Sequence, residues 1–531
     1  DCLLSRGLGD VYKRQVLSEL VSGHGYTEGL TEGWKRVLFN QFHDILAGSS
    51  IQKAYEDTRN ELGEALSIAA RNENNSLQAV SFHIGIDQEE NMLPAVVFNP
   101  HGWDVEEYVE VETGMFGNSC RGESYIVKDS SGNVVPSQKI SSDAKVNGRN
   151  RIVFKAGVPS LGYAVFRIYA VNQEQEAEHT SQALVLENAL VRVQFEEKTG
   201  AVISIWDKEN KIEYCDGAFG RVVVVKDNSD TWSHGVTRFH ETEGYFEPKS
   251  VKKTEDGPVR SSIRVISKYK SSTLVQIYTL YKEDKSVRVS AKINWQEKFR
   301  CVKIQFPVAL DQYRGIYEIP FGCIEKACNG EEEPVQRWMD LSGMQEANNK
   351  IICGIGILND CKYSACMEGN CMELTVLRSP VYAHHNPYIL DEEEDDYQFT
   401  DQGIQNFSYT IVPHLGSGRE AHLVQRAEEL NQPCVTVIET YHKGEYPQKA
   451  ELLTVSRNNV VLSALKKAEK QDGYILRLYE TEGKECQADI CIHFLEKNIR
   501  AEFKPFEIKT FFVSRSVDSE PAEVNFMEWE K

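Results

Sequence analysis

His43 and Asp44 stand side by side in the stretch NQFHDILAGSSI, which runs from Asn40 to Ile51. A neutral imidazole is a common zinc ligand, and a carboxylate can bind a metal or accept a hydrogen bond from a hydroxyl. The pair is therefore either two ordinary solvated residues or the visible half of a site. Neighbours on a helix diverge by about 100°, so the two are not expected to share one ion. A mononuclear centre here needs its other ligands from elsewhere. Cys361, Cys366 and Cys371 have a wider spacing than the short CxxC hooks of zinc ribbons. Free thiols in a reducing compartment are the expectation for them. The acidic run Asp391 to Asp396 reads as a solvated loop, with calcium binding as its alternative chemistry.

The elements that must position the pair follow from periodicity. Leu30, Trp34, Val37, Leu38, Phe42 and Ile45 recur at three- and four-residue spacing, which predicts one helix ending at Gly48. His43 then points nearly opposite that stripe and Asp44 lies at its edge. Phe39 and Leu46 flank His43 on a side that a lone amphipathic helix keeps polar, so something is expected to cover it. Ser49 and Gln52 have capping-box spacing and open a second helix. Its buried face is expected to hold Ile51, Ala54, Tyr55, Leu62, Ala65 and Leu66, and it fades near Asn72–Asn75. Two helices cannot bury both faces by themselves.

Beyond residue 80 the texture changes to short β-branched and aromatic runs such as AVVFN, VRVSAKINW and FSYTIV, separated by Gly, Asn, Asp and Pro. Strands without intervening helices predict antiparallel sandwiches. The fold class is therefore mainly β: a large super-sandwich and smaller sandwiches, preceded by a partial helical bundle. Residues 1–15, DCLLSRGLGDVYKRQ, read as a non-native leader, and 16–79 as the partial bundle. A small sandwich is expected over 80–175, the large one over 180–425 and a C-terminal small one over 426–531, with the polar stretch 172–182 as a linker. The balance of 59 basic and 80 acidic residues gives a net charge of -21. That charge disfavours nucleic acid and anionic membranes as partners, and no apolar run of about 18 residues predicts a membrane span.

The context WKRVLFNQFHDILAGSSIQKAYEDTRNEL resembles the helical-domain signature of glycoside hydrolase family 38, the zinc-dependent retaining α-mannosidases, especially bacterial-type members. The likeness continues in the family's order through VVFNPHGW, VPSLGYAVFRI, LENALVRVQFEEKTGAVISIWDKE, INWQEKFRCVKIQFPV, YEIPFGCIE, EEPVQRWMDLS, LTVLRSPVYA and PHLGSG. It covers nearly everything from about residue 16 onward.

The resemblance implies a hydrolase of terminal α-mannosides in glycans or oligosaccharides, holding one zinc ion. On that pattern His43 is a zinc ligand and Asp44 hydrogen-bonds a sugar hydroxyl. The nucleophile, the acid/base and the other zinc ligands belong to an N-terminal catalytic domain with no counterpart here. No catalytic residue is therefore assigned, and the chain alone is expected to be inactive. Ala47 departs from the family's usual Pro, which bears on the helix exit. Arg378 is a further candidate for substrate contact, with pairing to a carboxylate as the alternative. Asp230 and His234, in the loop KDNSDTWSHG with Asp227 and Trp232, are candidates for packing on a sugar ring, with a structural turn as the alternative. His384 and His385 follow Arg378 in a loop running into Asn386 and Pro387. The rival function is a non-catalytic, carbohydrate-binding β-sandwich protein. A cytoplasmic location is the expectation.

Overall fold

The computed structural model describes residues 2–113, 122–142, 144, 149–172, 183–345, 351–385 and 397–529, with side chains of the first helix described from Val11 onward. The expected linker, the acidic run and the Asn386–Pro387 pair lie wholly or almost wholly outside the described residues.

Helices come first. Helix α1 spans Cys2–Ser22, α2 Leu30–Asn40, α3 His43–Leu46 and α4 Gln52–Ser81. The third partner that a two-helix hairpin lacks is α1, which runs through residue 15 without a break. Val11 of α1, Leu30 and Val37 of α2, and Ala65, Ile68 and Ala69 of α4 close one apolar cluster. The buried face of α4 is rotated from the expected one: Ile51 and Leu66 are exposed, and Asn72 is buried. The helix also runs straight through Asn72–Asn75. The Asn72 amide accounts for this, because it donates to the Ile68 carbonyl (2.8 Å) and to the Glu28 carbonyl (3.0 Å). A buried polar group so satisfied does not end a helix.

The single helix expected from Leu30 to Gly48 is two. The Asn40 amide donates to Arg36 O and to Glu61, closing the last turn of α2. Phe42 then turns extended (φ -55°, ψ 141°), and a new turn begins at His43. Gly48 sits at φ 81°, the left-handed conformation that suits glycine at a helix exit. The capping box is absent: Ile51 is the N-cap of α4, with no side-chain cap, and Ser49 Oγ donates to Asp44 O at 3.3 Å.

The remainder is antiparallel β structure. A sheet ordered Val435–Ile438, Met92–Phe98, Tyr163–Val171, Ser124–Lys128, Val134–Val135 faces a three-stranded sheet of Val105–Thr113, Asn150–Val158 and Ser137–Ile140. Leu93, Val97, Val109, Phe154 and Phe166 fill the space between them. The large sandwich is built on a nine-stranded sheet running from Glu247–Asp256 at one edge to Gly322–Lys326 at the other. Two smaller sheets pack on it around Trp295, Phe306, Tyr278 and Tyr409. Helix α5, Leu423–Asn431, lies against its Ile351–Asn359 and Trp338–Gln345 strands. The last sandwich has its own core of Leu462, Leu476, Ile490, Phe503 and Val513, to which Val16 of α1 is added. Strands Val435–Ile438 and Lys449–Ala450 pair with the first sandwich, so the strands of the C-terminal sandwich itself begin at Leu453. No helix among the described residues is long and apolar enough to cross a membrane.

Candidate functional site

His43 and Asp44 occupy the tip of the turn between α2 and α4. The His43 side chain is 77% exposed and its Nε2 lies 3.5 Å from Asp44 Oδ2. Phe42 packs on the imidazole at 4.2 Å between ring centroids. The turn is held from below by Tyr55. Its hydroxyl accepts from Ser50 N (3.1 Å) and is within donating distance of Asp44 O (3.1 Å) and Ile45 O (3.2 Å). Burial pushes the Tyr55 phenol up, against the hydrogen bond from Ser50, so the hydroxyl stays protonated as a donor.

The rings of Tyr55 and Tyr382 meet at 5.7 Å, joining the helical turn to the large sandwich. Between them opens a cleft of about 530 Å³ whose rim carries Leu46, Ala47 and Gly48 and whose walls include Thr231, Thr375, Arg378 and Tyr382. A second cleft of about 580 Å³ lies by Trp103, Arg288 and Glu429. Its polar groups are largely paired across the interface: Arg288 with Glu107 at 2.9 Å, Lys155 with Glu283 at 2.6 Å, and Trp103 Nε1 with Glu429 at 2.9 Å. That pattern is one of domain contact.

Arg378 is held by carboxylate and loop. Its guanidinium donates to both Asp227 oxygens (2.8 and 3.2 Å), to Ser229 Oγ (2.7 Å) and to Asp230 O (3.2 Å). It also stacks over Phe239 at 4.7 Å. This bidentate pairing orders the 227–230 loop, while Arg378 still lines the cleft.

Asp230 and His234 meet in a tight turn. His234 Nδ1 lies 2.6 Å from Asp230 Oδ2, and the His234 backbone N–H donates to Oδ1 at 3.1 Å. Burial raises the Asp230 carboxyl, but the hydrogen bonds from His234 prevail and leave it below the ordinary range. Trp232 stacks on His385 at 4.2 Å and 6°. The sequence marks these four residues in two separate loops, and the structure makes them one cluster. Thr231 Oγ1 donates to Val381 O and accepts from His384 N at 3.4 Å, tying the two loops together. Neither Tyr55 nor Tyr382 stands out as a cleft residue in the sequence, since each reads as an ordinary aromatic.

Zinc, the metal implied by resemblance, takes about four donors in a closed site. Around His43 the described residues supply one imidazole and the flanking carboxylate. The three-donor group among the described residues is Asp230, His234 and His385. Among the described residues, His43 and Asp44 thus do not make a complete zinc site. Cys361, Cys366 and Cys371 do not converge either: Cys366 and Cys371 sit on paired strands but face Glu373 and Glu368 respectively, and the described cysteines are free.

Comparison with known proteins agrees with this architecture. The alpha mannosidase middle domain matches residues 13–80, the glycosyl hydrolases family 38 C-terminal domain residues 186–398, and the family 38 C-terminal beta sandwich domain residues 459–511. The chain therefore belongs to glycoside hydrolase family 38. Among similar proteins, alpha-mannosidase 2C1 of Mus musculus is 24% identical, over 90% of this chain and 45% of the relative. Alpha-mannosidase 2C1 of Homo sapiens is 26% identical, over 85% and 40%. An alpha-mannosidase from Enterococcus faecalis V583 shares the fold with a TM-score of 0.77 at 16% identity, over 96% of this chain and 66% of that one. The chain spans less than half the length of these two mannosidase 2C1 relatives.

Proposed function

We propose that this chain is the C-terminal body of a zinc-dependent retaining α-mannosidase acting on terminal α-mannosides of glycans or oligosaccharides. His43 supplies one zinc ligand and Asp44 a contact to a sugar hydroxyl. The nucleophile, the acid/base carboxyl and the remaining zinc ligands come from a part of the protein outside this chain. The observation that carries this reading is the display of His43 and Asp44. An imidazole left 77% exposed at a helical tip, with Tyr55 pinning the backbone under it, is placed to meet a partner surface and does nothing for the core of this one.

Zinc, when bound, orients sugar hydroxyls and supplies positive charge at the site. This chain's share is to hold one imidazole ready and to wall the cleft with Tyr55, Thr231, Arg378 and Tyr382. Asp44 Oδ2 lies 3.5 Å from His43 Nε2, so the carboxylate and the imidazole are presented together on the same tip.

The test uses two proteins. This chain alone should show no measurable hydrolysis of an aryl α-mannoside. Extended with the sequence that precedes it in its gene, the protein should hydrolyse that substrate, and His43→Ala should lose zinc and activity together. Chelator-sensitive turnover by the chain alone would overturn the reading, and so would a His43→Ala enzyme that keeps both zinc and rate.

A further inference from the structure

We propose that Asp230, His234 and His385 form a binding site for a transition-metal dication of the zinc or cobalt class on the large sandwich. One donor atom from each lies within 4.8 Å of the other two. Two imidazoles and one carboxylate suit zinc, cobalt, nickel or copper; magnesium and calcium require mainly oxygen donors. Three protein ligands leave a coordination position open to water or to a ligand oxygen.

The donors are held in place before any ion binds. Asp230 is buried, and its carbonyl accepts from the Arg378 guanidinium at 3.2 Å and from Ser233 N at 3.1 Å. Ser233 (φ 56°) and Gly235 (φ 69°) are both left-handed and fold His234 back over Asp230. A left-handed serine is an uncommon backbone state, and here it sits between two of the three donors. From the other loop, His385 is set face to face with Trp232 at 4.2 Å and 6°, which leaves its ring little freedom to tilt. The Thr231 bridge to Val381 and His384 holds the loops in register.

Without metal, the Nδ1 proton of His234 occupies the space between that nitrogen and Asp230. Two ligands of a tetrahedral zinc with bonds of 2.0–2.1 Å lie roughly 3.3 Å apart. The observed 2.6 Å must therefore open slightly as an ion replaces the proton. His234 is 67% exposed and can move by that amount without disturbing the core. The reading does not depend on His43 or on mannosidase activity.

The experiment keeps the two readings apart by working in a His43→Ala background of the full chain. Zinc titrated by calorimetry should bind at one site per chain. His234→Ala and His385→Ala should each weaken it by at least the roughly 10-fold that even an outer-shell change costs. Both histidines are exposed, so their loss leaves the fold intact, which far-UV circular dichroism checks. Cobalt supplies a second readout. It should quench tryptophan fluorescence, and Trp232→Phe should abolish that quenching, leaving the other six of the seven tryptophans as background. Absence of zinc binding in the His43→Ala chain, or undiminished affinity in either histidine variant, would overturn the assignment.

Discussion

At the scale of single residues, the Tyr55 hydroxyl holds the backbone of the turn that displays His43 and Asp44, through Ser50 N, Asp44 O and Ile45 O. Tyr55→Phe keeps the ring packed on Tyr382 and removes only the hydroxyl. A typical internal hydrogen bond contributes about 1 kcal/mol, so the turn should open more readily by that amount. Hydrogen exchange at the Ser50 amide, which donates to Tyr55 at 3.1 Å, should accelerate roughly five-fold for a change of that size. Unchanged exchange at Ser50 would mean that the turn is held by its backbone alone. His43 and Asp44 announce themselves in the sequence as neighbours, whereas Tyr55 looks like one more aromatic on a helix, and Trp232 and His385 are no easier to read as a pair. Stacking across two distant loops depends on the sandwich that brings them together, and no local pattern records it. Arg378 was visible as a candidate, and the structure shows it paired with Asp227 while it still lines the cleft.

At the scale of elements, hydrophobic periodicity found the helices and the β character but misplaced edges wherever tertiary contacts decide. The stripe from Leu30 to Ile45 is continuous on paper. Burial of Asn40 against Arg36 and Glu61 stops the helix at that point, and α4 outlasts its polar run because Asn72 finds partners. Strand ownership was hidden too: Lys449–Ala450 belongs by sequence to the last sandwich, yet it pairs with Tyr163–Val171 of the first. Gly162 permits that approach, since a β-carbon there would overlap the Ala450 carbonyl. Gly162→Ala should therefore push the 449–450 strand away and destabilise the protein by about 1–3 kcal/mol, the usual range for overpacking. Gly157→Ala is the matched control, with nothing within 4 Å of the new methyl. It should be neutral or slightly stabilising. Denaturant unfolding of both variants decides the matter, and equal midpoints would show that the two sandwiches are not clamped at this strand.

At the scale of the molecule, the charge of -21 and the apolar helical face pull in opposite directions. Leu38, Phe39, Phe42, Leu46 and Ile51 are between 54% and 69% exposed, all within one helical turn-and-tip region. A soluble protein rarely leaves so many large apolar side chains bare together. The sequence foretold Phe39 and Leu46 on a side needing cover, though by a helix geometry that the break at Phe42 replaces. In the proposed enzyme, the catalytic part meets this face around His43. In the chain alone, nothing in the described residues covers it, and the net charge of -21 opposes the close approach of two copies. Screening shortens the reach of that repulsion from about 10 Å at 0.1 M salt to about 3 Å at 1 M, while apolar attraction persists. Self-association by sedimentation velocity should therefore grow as sodium chloride rises from 0.1 to about 1 M. The double variant Phe39→Ser, Leu46→Ser should suppress that growth with no loss of stability, because neither side chain is in a core cluster. Association that falls with salt, or that ignores both substitutions, would place the attraction elsewhere and leave the exposed face without a role in contact.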